Sequence, residues 1–103
     1  MNISVIIPSY NEEKIIEHAL EKVLAYLNGK YEPFEILVVD DGSRDKTCAI
    51  AEKFAGKGIR LIKNPKNMGK GFTVKNGMIN AQYDLMLFTD ADQATPIEEL
   101  QKL

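Results

Sequence analysis

Three short, largely apolar segments, each followed at once by polar residues, constrain the fold of this chain more than any other feature. They cover residues 2–8, 35–39 and 84–89, and the first two are rich in β-branched side chains. Strands that are apolar along most of their length are typical of parallel sheets, because helices cover both faces of such a sheet. The segments therefore predict buried parallel strands that end in polar residues.

Segments with helical spacing separate these strands. Asn11 can cap a first helix, which Asn28-Gly29 ends, and its inner face is predicted to carry Ile16, Ala19, Leu20, Val23, Leu24 and Leu27. Ser43 or Asp45 can cap a second helix, whose inner stripe is Ile50, Ala51 and Phe54. Residues 59–62 then form a further short strand.

The second half of the chain continues the same alternation. After the turn at residues 64–69, a third helix runs to about Ala81, with an apolar stripe of Phe72, Val74, Met78 and Ile79. Pro96 begins a last helix in its first turn. Strands and helices that alternate in this way predict an α/β fold, with a parallel sheet of order 3-2-1-4 and helices on both faces. With 103 residues, the chain is expected to form one domain.

Composition excludes several classes of function. The formal charge is −2, from 13 basic and 15 acidic residues without a basic run, so nucleic acid is not an expected partner. The apolar segments are too short to cross a membrane and there is no signal peptide, so we expect a soluble, cytoplasmic chain. A single cysteine and a single histidine, Cys48 and His18, exclude a zinc site and an intrachain disulfide, and both are expected to be inert.

Polar residues follow three of the predicted strands at the edge where parallel α/β sheets bind ligands. The clusters are 8–12, 40–43 and 90–93, and each follows a strand directly. Asp90 and Asp92 are two apart in extended chain, so their carboxylates can share one hard cation with a diphosphate, and Gln93 offers another oxygen. Mg²⁺ or Mn²⁺ is the expected metal. The alternative is that this pair only forms a solvated turn.

The other two clusters carry features suited to a nucleoside. Asp41 can accept a hydrogen bond from the N–H of uracil or guanine, while Tyr10 and Pro8 can pack on the base. The structural alternative is that Asp40 and Asp41 only hold the turn before the second helix. Lys70, between two glycines at a helix start, can meet a phosphate or remain a solvated lysine.

Taken together, these motifs resemble glycosyltransferase family 2. The matching segments are VIIPSYNEE (5–13), VVDDGS (38–43), NMGKG (67–71) and DAD (90–92), and within the family they are most similar to polyprenyl-phosphate (dolichol-phosphate) glucosyl- and mannosyltransferases. The resemblance implies a GT-A fold and a set of nucleotide-binding residues: Pro8, Tyr10, Glu12, Val39, Asp41, Lys70, Asp90 and Ala91. It also implies metal ligands Asp90, Asp92 and Gln93, with Asp92 as the catalytic residue. Gln93 departs from the aliphatic residue that many relatives have there.

The resemblance further implies an inverting transfer of a hexose from UDP-glucose or GDP-mannose to an acceptor, expected to be polyprenyl or dolichol phosphate. Because relatives continue into acceptor-binding segments, we expect residues 1–103 to be a truncated domain, which in full-length form acts at the cytoplasmic face of a membrane. Surface left uncovered would favour self-association. The alternative is a module that binds nucleotide without turnover. A pyrophosphorylase or a phosphoacceptor receiver domain is disfavoured, because their motifs should follow the first strand.

Overall fold

A four-stranded parallel sheet forms the centre of the molecule. In the computed structural model, which describes residues 2–91, the strands are β1 (Ile3–Ser9), β2 (Phe34–Asp40), β3 (Ile59–Lys63) and β4 (Met86–Phe88). They lie in the order β3-β2-β1-β4, with every neighbouring pair parallel. The helices are α1 (Ile16–Leu27), α2 (Thr47–Glu52) and α3 (Lys70–Asn80). The predicted fold class and strand order are confirmed, and no helix within residues 2–91 is long and apolar enough to cross a membrane.

The two central strands are buried on both faces, which explains their uninterrupted apolar sequence. Alternate residues of β1 and β2, such as Val5, Ile7 and Val38, join the main core formed with α1 and α2. The residues between them, Ile6 and Val39 among others, form a smaller core on the opposite face, on the side of α3. A strand covered on both sides has no solvent-exposed face, so polar and apolar residues do not alternate along its sequence.

The apolar stripe predicted for α3 was wrong. Phe72, Met78 and Ile79 are 42%, 47% and 71% exposed, whereas α3 buries Thr73 and Gly77. A Cβ atom built on Gly77 would lie 2.6 Å from Cγ2 of Ile6 and 3.1 Å from Cγ2 of Val39. The helix therefore packs on the sheet through its smallest residue, and the larger apolar side chains point elsewhere.

The starts of α1 and α2 also differ from the prediction. Asn11 does not cap α1, which begins at Ile16; it has a φ of 52° and its side-chain oxygen accepts the backbone N–H of Arg44 at 2.9 Å. Its own N–H donates to the hydroxyl of Ser43 at 2.8 Å. For α2, the residue before the first helical residue is Lys46 and not Ser43 or Asp45, although Oδ1 of Asp45 accepts the N–H of Thr47. The two loops that follow β1 and β2 are thus joined to each other.

Candidate nucleotide-binding site

A cleft opens at the carboxyl ends of β1 and β2, where the sequence places its polar clusters. Its volume is about 250 Å³, and it is lined by Pro8, Ser9, Tyr10, Glu12, Asp41, Asn67, Lys70, Thr73 and Asp90. Six of these residues, Pro8, Tyr10, Glu12, Asp41, Lys70 and Asp90, were predicted to bind the nucleotide. The structure therefore brings residues from four separate segments of the chain into one concave surface, the usual shape of a small-molecule site.

Four predicted site residues are not found among those lining the cleft. The side chains of Val39 and Ala91 are buried in the core, whereas Asp92 and Gln93 lie outside the described residues. The sequence interpretation missed Ser9, Asn67 and Thr73. Their positions in the sequence could have identified them: Ser9 adjoins Pro8 at a strand end, and Asn67 and Thr73 lie on either side of the Gly-Lys-Gly segment.

Asp41 is a buried carboxylate of the cleft that accepts several hydrogen bonds. It is 6% exposed; its Oδ1 accepts the N–H of Met68 at 2.6 Å, and its Oδ2 accepts the N–H of Gly69 at 3.0 Å. Burial by itself would raise the pKa of the Asp41 carboxyl, but these bonds and the one from Asn64 outweigh it and hold the pKa below its usual value. Asp41 is therefore a charged group that clamps the loop before α3.

Asp40, its neighbour, has the structural role that the sequence left open as an alternative. The Oδ2 atom accepts the backbone N–H groups of Gly42 and Ser43 at 3.1 and 2.8 Å, which stabilises the turn after β2. Gly42 has a φ of 85°, and a Cβ there would lie 3.0 Å from the backbone nitrogen of Asn67. Only glycine lets this turn approach the loop before α3 so closely.

Lys70 and Asp90 form an ion pair at the cleft. The Lys70 Nζ lies 2.7 Å from Oδ1 of Asp90, and the two side chains are 60% and 40% exposed. An ion pair this exposed contributes little to stability, because water screens it. The pair matters for the chemistry of the cleft, since it places a cation and a carboxylate side by side where the sequence predicted phosphate and metal contacts.

The remaining lining residues complete a polar cleft with one aromatic wall. Tyr10 is 46% exposed, so its ring offers a flat surface beside the buried Pro8. The backbone N–H of Glu12 donates to the hydroxyl of Thr47 at 2.8 Å, which holds this segment against α2. Within residues 2–91, no group of three or more His, Cys, Asp or Glu side chains could hold a metal ion. Of the three predicted metal ligands, Asp90 is the one that lies within the described residues.

Comparison with known proteins gives this cleft a family context. The family model for Glycosyl transferase family 2 matches residues 4–103. A dolichyl-phosphate beta-glucosyltransferase from Trichomonas vaginalis is 42% identical over 105 residues, which cover 95% of this chain and 31% of that protein. The chain spans about a third of the length of the curated relatives it matches.

Solved structures share the fold. The mannosyltransferase PcManGT from Pyrobaculum calidifontis, in complex with GDP-Man and Mn²⁺, has a TM-score of 0.78 at 27% identity, with 87% of this chain and 27% of that chain covered. TarS from S. aureus, in complex with UDP-GlcNAc, has a TM-score of 0.81 at 34% identity, with 89% and 27% covered. These similarities confirm the predicted GT-A fold. Because the family model extends over nearly the whole chain and the sheet matches those of solved glycosyltransferases, the chain belongs to glycosyl transferase family 2.

Proposed function

We propose that this chain binds the donor in a hexosyltransferase that moves glucose from UDP-glucose to polyprenyl or dolichol phosphate. The observation that carries the proposal is the cleft itself, which joins an exposed tyrosine, a charged aspartate and a lysine–aspartate pair at the carboxyl ends of parallel strands. The relative named as a dolichyl-phosphate beta-glucosyltransferase supports glucose as the sugar. GDP-mannose is the competing donor, since a neighbouring structure contains GDP-Man.

The nucleoside would lie against the wall formed by Pro8 and Tyr10. An exposed ring beside a proline provides stacking area without loss of side-chain hydrogen bonds. Asp41 is ionised and accepts bonds from the loop, and as a lining residue it also reaches the cleft. A carboxylate has about four acceptor positions, so Asp41 can hold the loop and still accept the N–H of a base.

A divalent cation fits the donor atoms on this side of the cleft. The Asp90 carboxylate is a partly exposed, hard oxygen ligand. The structure of PcManGT in complex with GDP-Man also contains Mn²⁺. Asp92 and Gln93 would supply further oxygens, in the positions predicted from the sequence. When bound, the cation would neutralise the negative charge that builds up on the departing diphosphate. Lys70 would then exchange Asp90 for a phosphate oxygen.

The proposed transfer is a single displacement with inversion. An acceptor phosphate oxygen forms a bond to the anomeric carbon from the face opposite the nucleotide, the bond from that carbon to the diphosphate oxygen breaks, and UDP leaves with the electron pair. An ionised phosphate acceptor has no proton to lose, so no general base is required. The acceptor site, the catalytic role of Asp92, a cytoplasmic location and self-association all remain predictions.

Calorimetric titration with UDP-glucose and GDP-mannose, each with and without Mn²⁺, tests the proposal. We expect Mn²⁺-dependent binding of UDP-glucose, lost in Asp90→Asn and Asp92→Ala and retained in Asp84→Asn, which changes an exposed aspartate outside the cleft. At a ligand concentration of about 100 Kd, binding should add roughly 2.7 kcal/mol to the free energy of unfolding. Tighter binding of GDP-mannose would make it the donor in place of UDP-glucose. Absence of binding to either nucleotide sugar would refute the proposal. Binding without any transfer would favour the nucleotide-binding module.

A further inference from the structure

Behind Asp41 runs a row of asparagine side chains that the proposed function leaves unexplained. Asn64, directly after β3, is 6% exposed, and its Nδ2 donates to Oδ1 of Asp41 and to the hydroxyl of Thr73, each at 2.9 Å. Asn76 donates to Oδ1 of Asn64 at 2.9 Å, and Asn80 donates to Oδ1 of Asn76 at 3.0 Å. The row therefore starts on the exposed side of α3 and ends on the carboxylate in the cleft.

The row has a direction. Each amide uses its N–H group toward Asp41 and its oxygen away from it, so the orientation of each amide follows from that of its neighbour. Asn80 occupies the oxygen of Asn76, which leaves the Asn76 nitrogen to face Asn64. Hydrogen bonds aligned in this way polarise one another. The last donor in the row consequently meets a full negative charge, which is the strongest acceptor available to it.

The loop before α3 connects the Asp41 carboxylate to the residues that line the cleft. Asp41 accepts the N–H groups of Met68 and Gly69, and these residues directly precede Lys70, the first residue of α3. Moving the carboxylate would release both N–H groups and with them the segment that carries Asn67 and Lys70 into the cleft. Asn64 itself is not among the residues that line the cleft.

We propose that Asn64 is a positioning residue for the donor nucleotide, since it holds the Asp41 carboxylate where that group both clamps the loop of Lys70 and faces the cleft. The inference rests on the proposed function, because it assigns Asn64 a part in nucleotide binding. It differs from a purely structural role, in which a buried amide only satisfies its neighbours and any folded substitute leaves the affinity unchanged.

Asn64→Asp provides the sharpest test, because it is nearly isosteric and replaces the one nitrogen that donates to Asp41 and to Thr73, whose hydroxyl can turn to donate instead. Oδ1 of Asn64 accepts from Asn76, so the second oxygen of the new carboxylate would face Asp41 at about the distance of the lost N–H bond. Two carboxylates this close share a proton at low pH and repel each other once both are ionised. We expect affinity for UDP with Mn²⁺ to fall about tenfold or more at about pH 8, the size of losing a hydrogen bond to a charged group, and to recover at about pH 5.

Matched variants separate this effect from others. Asn64→Ala should weaken binding equally at both pH values. Asn80→Ala should weaken binding less than Asn64→Ala, and equally at both pH values, because Asn64 keeps its own bonds to Asp41 and Thr73. Tyr10, Glu12, Lys70 and Asp90 also face Asp41 across the cleft, so affinities are expressed relative to the wild type at each pH. Circular dichroism melts confirm that each variant folds.

A ligand-free readout keeps the inference testable by itself. The amide chemical shifts of Met68 and Gly69 should titrate with pH in Asn64→Asp and stay constant in the wild type. If Asn64→Asp binds UDP like the wild type at every pH, or if those amides do not titrate, the inference is overturned. If the wild type binds neither UDP nor GDP, the proposed function fails, while the amide shifts still decide whether Asn64 controls Asp41.

Discussion

Replacing Gly77 by alanine should destabilise the protein although alanine is the better helix former. In the middle of an exposed helix the change would gain about 1 kcal/mol. Here the new Cβ would meet Cγ2 of Ile6 at 2.6 Å and Cγ2 of Val39 at 3.1 Å. Ile6 and Val39 are themselves 1% and 0% exposed, so neither branched side chain has free space to enter.

The size of the loss follows from two opposing contributions. Overpacking of a filled core costs about 1–3 kcal/mol, and because both contacts come from buried residues of central strands we expect the upper half of that range. Subtracting the helix propensity leaves a net loss of about 1–2 kcal/mol. Gly71→Ala is the matched control, since it lies in the same helix and its Cβ would find no atom within 4 Å. That variant should gain up to about 1 kcal/mol.

Urea unfolding followed by circular dichroism measures both variants against the wild type. The midpoint should fall for Gly77→Ala and stay level or rise for Gly71→Ala, with similar slopes. The two variants should thus differ by roughly 1–3 kcal/mol in the free energy of unfolding. A Gly77→Ala protein as stable as the wild type would refute the reasoning, because it would mean that α3 can move away from the sheet at no cost.

Three further predictions concern charged groups. Burial alone would raise the pKa of the Glu35 carboxyl, but bonds from Gln82 and Ser4, together with the charge of Arg60, hold that pKa below its usual value. The stability that Glu35 contributes is therefore present near neutral pH and lost as pH falls through the folded pKa, and the urea midpoint of Glu35→Gln should not show that loss. Lys70→Met should weaken UDP binding in calorimetry yet change the unfolding free energy by less than about 1 kcal/mol, because its ion pair is exposed. Burial and the charge of Asp40 raise the pKa of the Cys48 thiol to about 11, so a disulfide reagent at about pH 8 should modify Cys48 more slowly in the native protein than in urea; equal rates would contradict that assignment.

The sequence predicted the features that depend on neighbouring residues. Apolar runs marked the strands, and the polar residues at their ends marked the cleft, because parallel strands deliver their carboxyl ends to one edge. The packing of α3 escaped prediction, since a glycine that makes a close approach possible carries no hydrophobic signal. Asn64 escaped for a related reason: its partners Asp41 and Asn76 come together only through the tertiary fold. Asn11 looked like a helix cap, but a loop from β2 competes for its side chain.

The alternation of side chains along β1 links two properties: the packing of the strand between the helix layers and the position of Tyr10 in the cleft. Val5 and Ile7 point into the layer of α1, and Ile6 points into the layer of α3. A slip of one position would send every side chain of the strand into the wrong layer. A slip of two would restore the layers but carry Tyr10 about 7 Å along the sheet, out of its register with the end of β2 that precedes Asp41. Homologues with insertions in this region are therefore expected to place them in the loops and to leave the strand at its full length.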